Sequence, residues 1–338
     1  MIRAFITGGG GFLGRHISKE LFAYASTHEI EIFSYSRSKH SDKGLDPKVV
    51  QLQGSLHDAA KLRATIASIY QKQGPIQVIF HTAALTDQWG KWEDFYETNV
   101  QGTKTLLAVA AEFKIPYFIY SSSPSVVFGN TPLCGVDESI PYPDPSIQKS
   151  FYARSKRMAE ELVLAANSPG NLRTLALRPH LIWGEDDPHI TPRLLQKAKA
   201  KRLKVIGDGK NLVSVTHVTN AAMAHIKAFV ALSSSEESAS RCSGKAYFIA
   251  DERPVLLWDF INQILKANQL KELSLTRGIP FKIAYALGHL CELLFRNQEP
   301  PLNRFIVMQL AHSHYFNLEN AKRDLGYQGN RHKIATLL

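Results

Sequence analysis

A chain of 338 residues with 44% hydrophobic and 21% charged residues is long enough to bury a substantial core, as one large α/β unit or as two lobes. Its net charge of +10 points to an anionic partner (a phosphate-bearing ligand, an acidic substrate or a membrane surface), yet no basic block is dense enough to propose nucleic-acid binding. Cys134, Cys242 and Cys291 are odd in number and widely spaced, which argues against a disulfide framework or a zinc site, and no His spacing suggests any other metal. Met1 leads directly into a strand-like run, so no signal peptide is expected and the expected location is cytoplasmic.

In chain order, short apolar runs predict strands at 2–7, 29–34, 49–53, 78–81, 117–120 and 172–178. Helical periodicity follows the first run through about Tyr24 and fills 100–113. This alternation predicts an α/β fold, a Rossmann-type doubly wound parallel sheet. Beyond 178 the pattern loosens, with loops at 183–192 and 207–215 and helices near 192–201, 218–232, 256–269, 281–296 and 303–313. Short strands are expected at 203–206 and 246–249. The expected division is a dinucleotide-binding domain over 1–180 and a smaller, mostly helical substrate lobe over 181–338. Segments near 215–232 and 245–250 are expected to return to the core.

The turn from Thr7 to Gly14 carries Gly8, Gly11 and Gly14 in a G-x-x-G-x-x-G frame between the first strand and the first helix. Missing side chains permit a tight turn and let backbone N–H groups approach a pyrophosphate at the positive end of a helix dipole. A glycine run alone is compatible with a flexible loop; the strand–turn–helix position favours a nucleotide. At the end of the second strand stands Ser34-Tyr-Ser36-Arg37-Ser-Lys39, with no acid to bond a ribose 2′-hydroxyl. Ser36 and Arg37 suit a 2′-phosphate instead, so NADP(H) is preferred over NAD(H). The competing reading has Arg37 stacking on adenine and the preference open.

Tyr152 and Lys156 lie four residues apart, on one face of a predicted helix. An unperturbed phenol titrates near about 10, and a fixed ammonium one turn away favours the phenolate. Alone, the pair occurs by chance as a solvated Tyr beside a surface Lys. Together with the glycine turn and the serine cluster at 121–123, the pair describes one catalytic machine. No G-x-S-x-G elbow surrounds the serines, so none is read as a nucleophile.

The chain resembles the extended short-chain dehydrogenase/reductases, and within them the 3β-hydroxysteroid dehydrogenase branch, over nearly its full length. The resemblance is carried by Thr7–Gly14, His81-Thr-Ala-Ala84, Trp89-Gly90, Asn99-Val-Gln-Gly-Thr103, Tyr120–Val127, Tyr152–Lys156, Leu177–Gly184, Gly207–Asn211, Trp258–Asn262 and Ser313–Phe316, in that order. It implies that Ser123 bonds the reacting oxygen, that Tyr152 is the general acid/base, and that Lys156 lowers its pKa and binds the nicotinamide ribose. Asn99 is implied to support the site and a water-linked proton path. The implied cofactor contacts are Gly8, Gly11, Phe12, Leu13, Gly14, Ser36, Arg37, Ser55, Leu56, Thr82, Ala83, Tyr152, Lys156 and Pro179. Ser55 stands where relatives commonly carry an acid that docks the adenine amino group.

The expected substrate pocket includes Trp89, Lys91, Ser125, His180 and Trp183. Lys91 has two readings, a partner for a substrate carboxylate or a surface cation, and His180 and Trp183 either shape the pocket or pack a loop. Ser121, Ser122 and Ser125 are otherwise expected to satisfy backbone groups. The resemblance implies an oxidoreductase interconverting a secondary alcohol and a ketone on a bulky lipid, with a β-hydroxy/β-keto acid arrangement and reduction favoured. A sterol-4α-carboxylate or 3β-hydroxysteroid dehydrogenase is the alternative. A nucleotide-sugar epimerase or dehydratase is a further alternative, but a dehydratase wants an acidic pair where Pro124 and Ser125 stand, and a non-catalytic NADP-binding protein has no need of Ser123, Tyr152 and Lys156 together. The apolar stretch 279–296 is read as a cover of the pocket, or as a face touching a membrane or partner enzyme. A homodimer is expected.

Overall fold

Seven of the apolar runs condense into one all-parallel sheet in the computed structural model, which describes residues 1–24, 29–37, 44–87, 89–295, 298–330 and 332. The first half runs β1 (Ile2–Thr7), α1 (Phe12–Tyr24), β2 (Ile30–Ser36), β3 (Val50–Gln53), α2 (Ala59–Lys72) and β4 (Val78–His81). It continues with α3 (Trp92–Phe95), a π-helical turn (Tyr96–Gln101), α4 (Gly102–Glu112), β5 (Tyr117–Ser121), a 3₁₀ turn (Pro124–Val127), β6 (Leu133–Val136), α5 (Phe151–Ala165) and β7 (Arg173–Pro179). The second half runs β8 (Ile182–Trp183), α6 (Ile190–Lys199), β9 (Leu212–Val213), β10 (Thr216–His217), α7 (Val218–Ser234), α8 (Glu236–Cys242) and β11 (Lys245–Ile249). It closes with β12 (Val255–Leu256), α9 (Leu257–Ala267), α10 (Phe281–Leu294), α11 (Arg304–Ala311), β13 (His314–Phe316) and α12 (Glu319–Leu325).

The sheet order is β3-β2-β1-β4-β5-β7-β11. Alternate side chains along a strand face opposite sides. Ala4 and Ile6 of β1 therefore join one core with Ile17 and Leu21 of α1 and Phe229 of α7. Phe5 joins the other, with Leu62 of α2, Leu106 of α4 and Val163 of α5. Helices cover both faces, so the fold is Rossmann-type and doubly wound. Strand order reverses between β1 and β4, and in such sheets ligands sit in the crevice beyond the carboxyl ends at that point. A third core gathers Trp183, Val213, Trp258, Phe260, Ile264 and Val307 among the helices of the second half.

Several elements differ from expectation. Residues 203–206 form no strand; only Ile206 bridges, to Ile279. The helix expected over 100–113 begins at Gly102, and a π-helical turn holding Asn99 precedes it. The helix expected over 281–296 ends at Leu294, and Arg296 lies outside the described residues, as do Ser38 and Lys39. The small sheet β12-β9-β13-β6 was not anticipated, because its strands have only two to four residues each.

Candidate active site

The glycine turn closes over the carboxyl ends of β1 and β4. Gly8 has φ of +69°, where side chains are strained, and a Cβ there would meet the Ala83 Cα at 3.0 Å. At Gly14 an added Cβ would come within 2.4 Å of the Gly8 carbonyl oxygen. The backbone is packed too closely for any other residue, and the first turn of α1 leaves N–H groups facing the crevice. Thr82 closes the opposite wall, its hydroxyl donating to the Thr7 carbonyl at 2.8 Å, while the Ala83 N–H donates to the Thr7 hydroxyl at 3.3 Å.

From this turn a continuous cavity of about 710 Å³ runs across the sheet edge to the helices of the second half. Gly8, Gly11, Phe12, Leu13, Gly14, Ser36, Arg37, Ser55, Leu56, Thr82, Ala83 and Pro179 all line it. At the end of β2, Arg37 is exposed and the buried Ser36 hydroxyl finds no partner among the described residues. An orphaned hydroxyl beside a guanidinium, past a glycine cradle, fits a phosphate-bearing dinucleotide. The Ser55 hydroxyl accepts from the His57 N–H at 3.2 Å and so shapes its own turn.

Ser123, Tyr152 and Lys156 converge on the middle of the cavity. The Ser150 hydroxyl caps α5, accepting from the Ala153 N–H at 3.3 Å, which sets Tyr152 in the first turn and Lys156 one turn later. Burial raises the Tyr152 phenol above its ordinary value, and a hydrogen bond from the Ser123 hydroxyl opposes the rise. Burial lowers Lys156 to about 7, against the pull of Glu160. Its ammonium donates to the Ser121 carbonyl at 2.5 Å and lies 4.1 Å from the centre of the Tyr120 ring. Burial is the larger influence on the phenol and Ser123 is its counterweight. Tyr152 is thus a protonated acid near neutral pH.

Asn99 does not reach the cavity. It is buried, accepting from the Leu85 N–H at 2.7 Å and donating to the Leu85 carbonyl at 3.0 Å and to the Ser155 hydroxyl at 2.9 Å. Ser155 in turn donates to the Tyr152 carbonyl at 2.9 Å. Asn99 therefore ties the loop after β4 to the backbone that carries Tyr152, from a π-helical turn of the kind often found at functional sites. His81 is braced between Thr7 at 2.7 Å and Thr103 at 2.9 Å, and burial first, then Lys156, depresses it to about 3.

Of the expected pocket residues, Ser125 and His180 line the cavity, and Trp89, Lys91 and Trp183 do not. Lys91 is exposed at the start of α3, and Trp89 is half-buried outside the lining. Trp183 is buried against His217 and Phe260 and donates its indole N–H to Asp251 at 3.2 Å, the partner a buried indole needs. The serine cluster also differs from expectation. Ser121 bonds the His225 ring at 2.7 Å, and the Ser122 and Ser125 hydroxyls find no partner among the described residues, so none of the three side chains satisfies the backbone.

Sequence reasoning missed the apolar end of the cavity: Leu181, Leu194, Phe260, Ile264, Phe305 and Leu310. It missed His189, Arg193 and His314 there as well. His314 lies 2.7 Å from His180, and its other ring nitrogen donates to the Gln309 carbonyl at 2.8 Å, so His180 donates to His314. Burial depresses both rings, His314 to about 4 and His180 well below its ordinary value. The amphipathic spacing of α9 was readable, but not what its buried face would border. Among the described residues no group of three or more His, Cys, Asp or Glu is arranged to hold a metal ion.

The profile of the 3-beta hydroxysteroid dehydrogenase/isomerase family matches residues 5–279. The chain is 35% identical to a 2-alkyl-3-oxoalkanoate reductase of Stenotrophomonas maltophilia, with 96% of this chain and 94% of that protein covered. It is 32% identical to a decarboxylating sterol-4-alpha-carboxylate 3-dehydrogenase of Homo sapiens, covering 96% and 84%. The solved UDP-glucose 4-epimerase of Brucella ovis in complex with NAD shares the fold, with a TM-score of 0.72 at 20% identity over 100% of this chain and 96% of that one. The chain belongs to the 3-beta hydroxysteroid dehydrogenase/isomerase family and is an NAD(P)-dependent oxidoreductase acting on CH–OH groups.

Proposed function

We propose that the protein reduces the 3-ketone of a long-chain 2-alkyl-3-keto acid, using NADPH in preference to NADH. The observation that carries this reading is the shape of the cavity: Tyr152 opens into it between a glycine cradle and an end walled by Leu194, Phe260, Ile264, Phe305 and Leu310. A sugar nucleotide offers hydroxyls to that wall, whereas an alkyl chain offers methylenes, each worth about 0.8 kcal/mol on burial. The names of the two bacterial relatives at 35% identity point the same way.

When bound, the nicotinamide supplies the hydride taken up by the carbonyl carbon. Tyr152, kept protonated by burial, gives its phenolic proton to the carbonyl oxygen as that oxygen gains charge. Ser123 holds the same oxygen. Asn99 positions Tyr152 through Ser155, and Lys156 lines the cavity one helical turn further on. Arg193, which lines the substrate end and is paired at 3.4 Å with Asp87, offers a cation to the carboxylate. Ser36 and Arg37 take the 2′-phosphate. The segment after 180 acts as the substrate lobe.

The test is a screen of purified protein with a 2-alkyl-3-keto acid, a sterol 4-carboxylate and a UDP-sugar, each with both nicotinamides. The expected result is turnover of the keto acid with NADPH above all other pairs. Preferred turnover of the sterol carboxylate would replace this reading by the dehydrogenase of sterol acids, and turnover of the UDP-sugar alone would overturn it.

A further inference from the structure

We infer that the outer face of α10 docks the protein on an anionic lipid bilayer, from which the lipid substrate reaches the cavity. This rests on the substrate class proposed above. On α10, Ile283, Leu287, Leu290, Leu293 and Leu294 are exposed by 54, 45, 50, 45 and 70%. They are five of the eleven large hydrophobic side chains exposed among the described residues, so apolar exposure is concentrated on one helix rather than scattered. Positions 283, 287, 290 and 294 form one stripe at helical spacing.

The opposite face is already occupied. Ala284 and Gly288 are buried toward α11, and a Cβ on Gly288 would meet the Asn303 carbonyl carbon at 3.0 Å. α11 itself lines the cavity with Phe305, Ile306, Gln309 and Leu310. The exposed stripe is therefore one helix away from the substrate end of the site.

Three observations select an anionic bilayer as the occupant. The exposed polar side chains of α10 are Lys282 and His289, and its one acid, Glu292, is bound to Arg304 at 2.6 Å, so nothing on this face repels a phosphate headgroup. The net charge of +10 adds a long-range attraction to such a surface. The helix has 14 residues, about 21 Å of length, and no described helix is long and apolar enough to cross a membrane. An amphipathic helix of this kind lies in the interface plane. Pairing α10 with a second copy would set Lys282 and His289 against their own kind with no acid to answer them. One helix face of this length also covers well under the roughly 800 Å² per partner of a stable interface.

The test floats the full chain with vesicles of equimolar phosphatidylcholine and phosphatidylglycerol, and with phosphatidylcholine alone. Wild type is compared with the double variants Leu287→Glu/Leu290→Glu and Leu287→Gln/Leu290→Gln, each checked by melting curve. Turnover of a short-chain, water-soluble 3-keto acid is measured in parallel, and it reads the proposed reaction independently of docking. Wild type should float with the mixed vesicles, and less with phosphatidylcholine or at high salt. Both variants should lose about tenfold in partition with short-chain turnover unchanged. A wild type that stays with the soluble fraction, or variants that float as well as wild type, would overturn the inference. So would a wild-type dimer that the substitutions dissociate in light scattering while vesicle binding is absent. Absent short-chain turnover in wild type, with flotation intact, would instead count against the proposed reaction.

Discussion

The two ends of the cavity are built on different plans. One end is built on backbone: a glycine turn between β1 and α1, closed by Thr82 and Ala83 beyond β4, where an added methyl would strike main chain. The apolar end is walled by residues of α6, α9 and α11, drawn from far apart in the sequence. Backbone packing tolerates almost no change, while an apolar wall tolerates change and shifts selectivity. Tyr152 and Ser123 sit where the two plans meet.

That contrast can be broken at several points. The largest effect is expected at the junction: Tyr152→Phe should lower kcat by roughly 10²–10⁴ while dinucleotide binding, measured calorimetrically, persists. A variant with near-normal turnover would remove the proton-donor role. Next, Gly14→Ala should abolish dinucleotide binding and lower the melting temperature, because the new Cβ would lie 2.4 Å from the Gly8 carbonyl oxygen. Unchanged binding would mean that the turn gives way.

At the apolar end, Phe260→Ala should raise KM for a long-chain substrate about tenfold and leave short-chain turnover nearly unchanged. Equal losses for both chain lengths would show a packing role instead. Arg37→Ala should weaken NADPH by about tenfold and NADH little, read from the ratio of dissociation constants. Equal loss for both would remove the phosphate contact.

The last effect is on the pH dependence of stability, not on activity. Lys156 is held at about 7 in the fold against an ordinary 10.5. Between those values the unfolded chain binds the proton that the folded chain has released, so stability rises with pH across that window and the penalty is complete below it. Lys156→Met should flatten the rise, seen in denaturant midpoints between pH 7 and 10. A slope as steep as that of wild type would show that the ammonium is not destabilised by burial.

How much could be read from the sequence follows the same division. Gly8, Gly11 and Gly14, and Tyr152 with Lys156, are local spacings whose meaning survives folding, and all five reached the cavity. Trp183 was placed near the site because it follows the sixth strand and Lys91 because it follows Trp89-Gly90, each beside a packed or surface reading, and chain position carries no information about partners. Trp183 turned to Asp251, and Lys91 turned to solvent. Phe260 and Leu310 were readable as buried helix faces, but periodicity says that a face is covered and not by what. β13 was missed because three residues are too few for alternation to show, and it brings His314 to His180.

The most direct test of the proposed lipid substrate is kcat/KM for NADPH-dependent reduction, measured across 2-alkyl-3-keto acids of increasing chain length. The apolar end predicts a rise of up to about fourfold per added methylene until the cavity is filled, followed by a plateau. A flat profile, or one that falls with chain length, would contradict it.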